Sequence, residues 1–298
     1  MHAAGARTAS ANHHAKNDRM GKRNGMDRYQ RENLLKDVFP ALLIAPAIFL
    51  GVLAMIFGGV SPAMWGQQAA AWRVFALLAP ALRRAAGRVR DAVWCLLFVM
   101  ILAAALFGPE AGGARRWVNL FVFRVNTAQL VLPALLIVLC RVKCPYPALL
   151  AAAAVLCVQP SLAQLTAFSA AALVLFWCGG HKRIRGIASA LVLVLLVIAC
   201  RQIPVALEPV LYCEGILSML GDVSWLLLAA GLLSLAAVPA FFLHRFCVKR
   251  ETQALCLSVY YAVSLLFVLT GEYPVPFMGF GLSPIAGYFL ATSCVRCE

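Results

Sequence analysis

Between two hydrophobic stretches the chain reads Gly112-Gly113-Ala114-Arg115-Arg116-Trp117-Val118-Asn119-Leu120, with Arg124 a turn or so further on. Three arginines in so short a connection call for an anionic partner or a special structural role if the loop lies outside the cytoplasm. That is the side of a membrane where positive charge is normally sparse. Which side the loop occupies is decided by the rest of the chain.

Hydrophobic residues make up 63% of the 298 and charged residues 13%. A water-soluble domain of this length carries about twice that charged fraction. Apolar runs recur from about Val38 to the C-terminus, and several reach the roughly 20 residues that a hydrocarbon core about 30 Å thick requires. The fold class expected is therefore an all-α polytopic membrane protein. Residues 1–37 are too polar to hold a secretory signal peptide and are expected to form a basic, disordered cytoplasmic tail, with Met20 and Met26 as alternative starts. Residues 38–298 form the transmembrane domain.

Ten spans are expected, at about 38–60, 68–82, 91–107, 128–142, 145–158, 162–179, 184–200, 222–243, 252–270 and 275–294. With both termini cytoplasmic, 21 of the 26 lysines and arginines fall inside, among them Arg83, Arg84, Arg88, Arg90, Arg141, Lys143, Arg245, Lys249 and Arg250. Only Arg115, Arg116, Arg124 and Arg201 fall outside, while Arg73 sits within a span and is expected to snorkel to an interface. Losing any one span would invert every later loop and break this partition. The outer carboxylates are then Glu110, Glu208, Glu214, Asp222 and Glu272.

Cys95, Cys157, Cys178, Cys200 and Cys256 read as small residues facing lipid or core. Cys140/Cys144 and Cys294/Cys297 are not joined by a histidine or a second cysteine pair at zinc-like spacing, so no metal is expected. His13-His14 reads as part of a solvated tail, and Gly179-Gly180-His181 as a cytoplasmic turn. No P-loop, dinucleotide fingerprint or metalloprotease motif appears, so no cofactor is expected. The topology itself accounts for the net charge of +14, so nucleic acid is not an expected partner.

Three stretches carry a resemblance. Gly113 to Leu120 resembles the "GARRWIxLG" signature of the SEDS family, the FtsW/RodA/SpoVE-like membrane proteins of cell shape, elongation, division and sporulation. The next part of that signature, "QPSE" and a lysine, is matched only by Asn126-Thr127-Ala128-Gln129 and Leu132. Gln159-Pro160-Ser161-Leu162 is similar to the family's "QPDLGT", with Ser161 at the aspartate and Ala163 at the glycine. Pro274-Val275-Pro276-Phe277-Met278-Gly279-Phe280-Gly281-Leu282-Ser283 is similar to "PLPFiSYGGS", with Gly279 at the serine and Leu282 at the second glycine.

The resemblance implies a SEDS-like bundle in the bacterial cytoplasmic membrane. It implies an extracytoplasmic glycosyltransferase that polymerises lipid II, an undecaprenyl-linked precursor, beside a class B penicillin-binding protein and other division or elongation membrane proteins. The family's "HTDF" motif, with its catalytic aspartate, is absent. The matching loop, 201–221, holds Glu208 and Glu214, and Asp222 opens the following span near where that aspartate would fall.

The residues support a physical reading beside the family one. Guanidinium groups make bidentate, charge-assisted bonds to phosphate, so Arg115 and Arg116 suit a diphosphate, and Trp117 suits the headgroup level. The same arginines could instead neutralise lipid headgroups or pair with Glu110. A general base is needed to deprotonate the attacking sugar hydroxyl, and Asp222 and Glu214 are the carboxylates on offer; either is also readable as a solvent-exposed charge. Gln159, with Pro160, is expected to break or cap a helix at the outer face, and to contact substrate if the family role is kept. Three functions stay open: an active polymerase, a non-catalytic scaffold for a penicillin-binding protein, and a lipid or solute transporter. The last is disfavoured because the spans look bare of polar residues at mid-membrane depth.

Overall fold

The computed structural model describes residues 38–121, 123–178, 183–271 and 273–295. The expected basic tail, the turn at Gly179 to His181, Glu272 and Cys297 lie outside them. Two compact units divide the chain after Pro40, and of the first only Val38–Pro40, the opening turn of a helix, is described.

Eleven helices and one small hairpin appear among the described residues. They are α1 (Val38–Phe57), α2 (Pro62–Arg88) and α3 (Asp91–Ala104), the last ending in a 3₁₀ turn, Ala105–Phe107. The hairpin pairs β1 (Trp117–Leu120) with β2 (Phe123–Asn126). Then come α4 (Thr127–Leu139), α5 (Tyr146–Val158), α6 (Leu162–Cys178) and α7 (Arg183–Arg201). The chain ends with α8 (Ile216–Val223), α9 (Trp225–Lys249), α10 (Thr252–Leu269) and α11 (Ser283–Cys294). Ten of these coincide with the ten expected spans, and the chain is an all-α polytopic membrane protein.

Several boundaries differ from expectation: α2 runs Pro62–Arg88 where 68–82 was expected and α9 continues to Lys249 where 243 was expected, so Arg83, Arg84, Arg88, Arg245 and Lys249 lie in helices. The last helix begins at Ser283, not 275, after the irregular entry that Pro274, Pro276, Gly279 and Gly281 predict. The span expected from 222 is interrupted: Asp222 belongs to the separate short helix α8. Ser224 has extended backbone and its hydroxyl accepts from the Leu226 N–H at 3.2 Å, capping a new helix, α9.

Length sorts the helices. α1, α7, α9 and α10 are long and apolar enough to cross a membrane by themselves. α2 and α3 meet at a bend of 119°, closer to a hairpin than to one kinked span. α4, α5 and α6 are apolar but shorter. α4 can be short because it is central: every residue from Thr127 to Leu139 except Leu130 is buried. Protein, not lipid, covers its ends, so it need not match the bilayer thickness. Its first residues cross α11 so closely that a Cβ built on Gly287 would lie 2.1 Å from the Gln129 carbonyl oxygen.

At the far end of α4, Arg141 donates to Asp91 at the start of α3 (2.9 Å) and to the Cys294 carbonyl that closes α11. Between α9 and α10, Arg245 pairs with Glu251 at 2.6 Å. Arg73 is exposed on α2. The bundle thus has two chemically distinct ends, one holding Arg141 and the other the arginine loop.

Gly287→Val should separate α11 from α4. Overpacking at a backbone contact costs roughly 1–3 kcal/mol, so the variant should melt several degrees below the parent in the same detergent, as followed by circular dichroism.

Candidate functional site

The arginine loop is shaped first by its glycines. Gly112 (φ 55°) and Gly113 (φ 82°) occupy the left-handed region between Ala111 and Ala114, whose N–H and C=O groups exchange bonds of 3.0 and 2.9 Å. Two consecutive positive φ angles make a tight reversal that residues with a Cβ resist. The same turn receives a second loop, because the Ala206 N–H donates to the Gly112 carbonyl at 3.0 Å.

The chain then enters the hairpin, with Trp117 opposite Asn126 and Asn119 opposite Arg124. That register puts the Arg124 guanidinium 5.0 Å from the centre of the Trp117 ring, a cation–π contact.

The two adjacent arginines are placed in different environments. Arg115 is about half exposed and its Nε and Nη2 both donate to one Glu110 oxygen at 3.1 Å, while Nη1 reaches the Leu106 carbonyl at 3.3 Å. Arg116 turns inward. Its Nε donates to the Gln159 carbonyl at 3.4 Å and its Nη2 to the Pro160 carbonyl. Burial lowers the Arg116 pKa, yet an arginine keeps its charge in proteins.

These acceptors explain the fold at this point. Helix α5 ends at Val158 and α6 begins at Leu162, so Gln159 and Pro160 form a break, as expected, whose carbonyls have no helical partner. Arg116 supplies the missing donors. The Gln159 side chain, fully buried, donates from Nε2 to the Leu102 carbonyl near the end of α3 at 2.7 Å. Thr127 completes the knot, its N–H donating to the Arg116 carbonyl at 3.3 Å.

The third motif stretch arrives at the same end. The Asn126 N–H donates to Ser283 Oγ at 2.9 Å, and Asn126 Oδ1 caps α4 by accepting from the Gln129 N–H at 3.2 Å. Gln68 of α2 donates from Nε2 to the carbonyls of Phe277 (2.6 Å) and Met278 (2.9 Å). The loop before α8 is stitched on by Val275 N–H to the Cys213 carbonyl (3.1 Å) and Phe280 N–H to the Tyr212 carbonyl (2.9 Å).

A buried polar cluster beneath these loops escaped the sequence reading, which took the spans as bare of such groups. Tyr273 OH accepts from Gln129 Nε2 at 3.2 Å and from Gln164 Nε2, and Tyr260 OH donates to Gln164 Oε1 at 2.6 Å. The cluster borders a cavity of about 10 Å³ lined also by Pro133, Tyr261 and Ser264, about the size of one water. Isolated glutamines inside apolar runs were the available signal. Only the fold shows that Gln129, Gln164 and Tyr273 meet.

The expected bases stand apart from the arginines. Glu214 Oε2 accepts the Val210 N–H at 2.8 Å, holding its own loop together. Asp222 is exposed near the end of α8. No hydrogen bond or ion pair among the described residues links either carboxylate to Arg115 or Arg116. Among the described residues no three His, Cys, Asp or Glu side chains gather as a metal centre would require.

The chain superposes on the rod shape determining protein RodA of Thermus thermophilus with a TM-score of 0.53, over 86% of this chain and 95% of that one, at 20% sequence identity. An aspartate-to-alanine mutant of that RodA matches with the same TM-score and identity, over 86% of this chain and 96% of its own. The chain has a RodA-like fold. No family model and no curated protein matches the sequence. At this level of identity the likeness establishes the fold, which is the one the SEDS resemblance implied, and leaves the chemistry to the residues themselves.

The split between the arginines is testable by stability. Arg116→Ala leaves the Gln159 and Pro160 carbonyls without donors and should cost about 1–3 kcal/mol. Arg115→Ala removes a half-exposed ion pair and should cost under about 1 kcal/mol. Thermal unfolding of both variants in one detergent checks the order, and a larger loss for Arg115→Ala would refute it.

Proposed function

We propose that this chain is a SEDS-like protein of peptidoglycan synthesis, seated in the bacterial cytoplasmic membrane with its N-terminus inside. In this reading it takes lipid II, or a related undecaprenyl-linked precursor, at its extracytoplasmic face. It works there with a class B penicillin-binding protein and other division or elongation membrane proteins. The observation that carries the reading is that three stretches resembling the family's signatures, far apart in sequence, are hydrogen-bonded into one end of a RodA-like bundle.

The roles follow from the geometry. Arg115 contacts the diphosphate, exchanging the Glu110 carboxylate for phosphate oxygens; either anion can present two oxygens to the guanidinium fork. Trp117 rests its ring at the headgroup level. Arg116 and Gln159 are positioning residues, because their donors already serve the carbonyls that shape the loop. Asp222 is the general base favoured by exposure, since Glu214 is engaged with Val210.

A second reading, a catalytically inactive scaffold, is favoured by one specific feature. Ser161, where the family carries an aspartate, is buried and supplies no carboxylate.

Polymerisation of lipid II by the purified full-length protein, with and without a class B penicillin-binding protein, separates the two. An active enzyme makes glycan strands, and Asp222→Ala should reduce the rate by about 10²-fold or more; Glu214→Ala should leave it near the parent's. No product from the parent under either condition selects the scaffold. In a parallel binding assay Arg115→Ala should weaken lipid II affinity about tenfold, equivalent to ~1.4 kcal/mol. Unchanged affinity would remove Arg115 from the substrate site.

A further inference from the structure

Cys157 and Cys200 are far apart in sequence and on different helices, yet they converge beside the arginine knot. Cys157 lies in the last turn of α5, two residues before Gln159, and Cys200 is the penultimate residue of α7. The Cys157 Sγ is 3.6 Å from the Leu196 carbonyl oxygen. In an α-helix that carbonyl accepts the N–H of the residue four further on, which is Cys200. The Cys157 sulfur therefore sits beside the backbone at the base of Cys200. Cys200 is buried and Cys157 half-buried.

A second thiol pair supplies the contrast. Cys140, which caps the end of α4, and Cys256, in the second turn of α10, have sulfurs 3.8 Å apart at the opposite end of the bundle, beside Arg141. One pair thus belongs to each face of the membrane. Thiols in an extracytoplasmic compartment are oxidised, whereas those facing the cytosol are kept reduced.

We propose that Cys157 and Cys200 form a disulfide that staples α7 to α5 at the arginine-loop end, while Cys140 and Cys256 remain thiols. This rests on the orientation proposed above, with that end outside. Cys157, the more accessible, attacks the disulfide of a thiol–disulfide oxidant, giving a mixed disulfide and releasing one oxidant thiol. Cys200 then displaces the second. The two cysteines lose two protons and two electrons, and the oxidant's disulfide becomes two thiols. Cys213, in the loop before α8, has its Sγ 3.4 Å from the Phe280 carbonyl and no described cysteine bonded to it, so it stays reduced for want of a partner. The bond anchors one of the more lipid-exposed helices, α7, to the break whose carbonyls hold Arg116.

The test is differential alkylation of the full-length protein, extracted from membranes without reductant, denatured, and treated with maleimide before and after reduction. Peptide mass spectrometry should show Cys157 and Cys200 labelled only after reduction, with Cys140, Cys213 and Cys256 labelled at once. In Cys200→Ser, Cys157 should label without reduction; if it stays blocked, its partner is another thiol and the pairing is wrong. Labelling of both pairs before reduction overturns the disulfide and leaves the orientation standing. A linked Cys140–Cys256 with reduced Cys157 and Cys200 overturns both, since the opposite face would then be the oxidising one.

Discussion

A helix that stops within or beside a bilayer leaves backbone carbonyls where no bulk water can reach them. Each unpaired group there costs several kcal/mol. The break between α5 and α6 is such a place, and Arg116 is its remedy. One guanidinium satisfies the carbonyls of Gln159 and Pro160, and the Gln159 side chain passes the restraint on to α3 through Leu102. Gln68 does the same for the irregular stretch before α11 by donating to Phe277 and Met278. The shape of this end of the bundle depends on those few side-chain donors, because the backbone cannot supply them.

That constraint also explains why positive charge gathers on this face. The three arginines of the loop do three different jobs. Arg116 caps a broken helix, Arg124 lies over the Trp117 ring, and Arg115 pairs with Glu110. Arg115 and Arg124 are both exposed, and of the two it is Arg115 that is paired with a carboxylate an incoming anion can replace. A loop that looks uniform in sequence thus turns one arginine, Arg116, onto backbone carbonyls and leaves Arg115 and Arg124 exposed.

The centre of the bundle follows a related logic. α4 is short and almost wholly buried, and the polar groups near its start, Gln129 with Gln164, Tyr260 and Tyr273, find one another. Such a cluster is tolerated in an apolar bundle because most of its donors and acceptors are paired. It sits under the loops that carry the proposed site, so the floor of that site is polar. The likeness to Thermus RodA at 20% identity is a likeness of this helical frame.

Much of the architecture was legible in the chain. Ten apolar runs located ten helices, since hydrocarbon thickness and backbone satisfaction leave few alternatives. The Gln159-Pro160 break and the irregular stretch before Ser283 were readable because proline removes a donor that a helix needs. Other features lay beyond any local pattern. Ser224 split an expected span and put Asp222 on a separate helix. Arg115 and Arg116, neighbours with identical chemistry, were separated because one finds a carboxylate at the surface and the other the free carbonyls of the α5–α6 break. Composition and periodicity determined that this chain crosses a membrane and roughly where. Which polar groups meet was decided only by tertiary packing, because Gln159, Leu102 and Arg116 become neighbours only when α3, the end of α5 and the arginine loop close together.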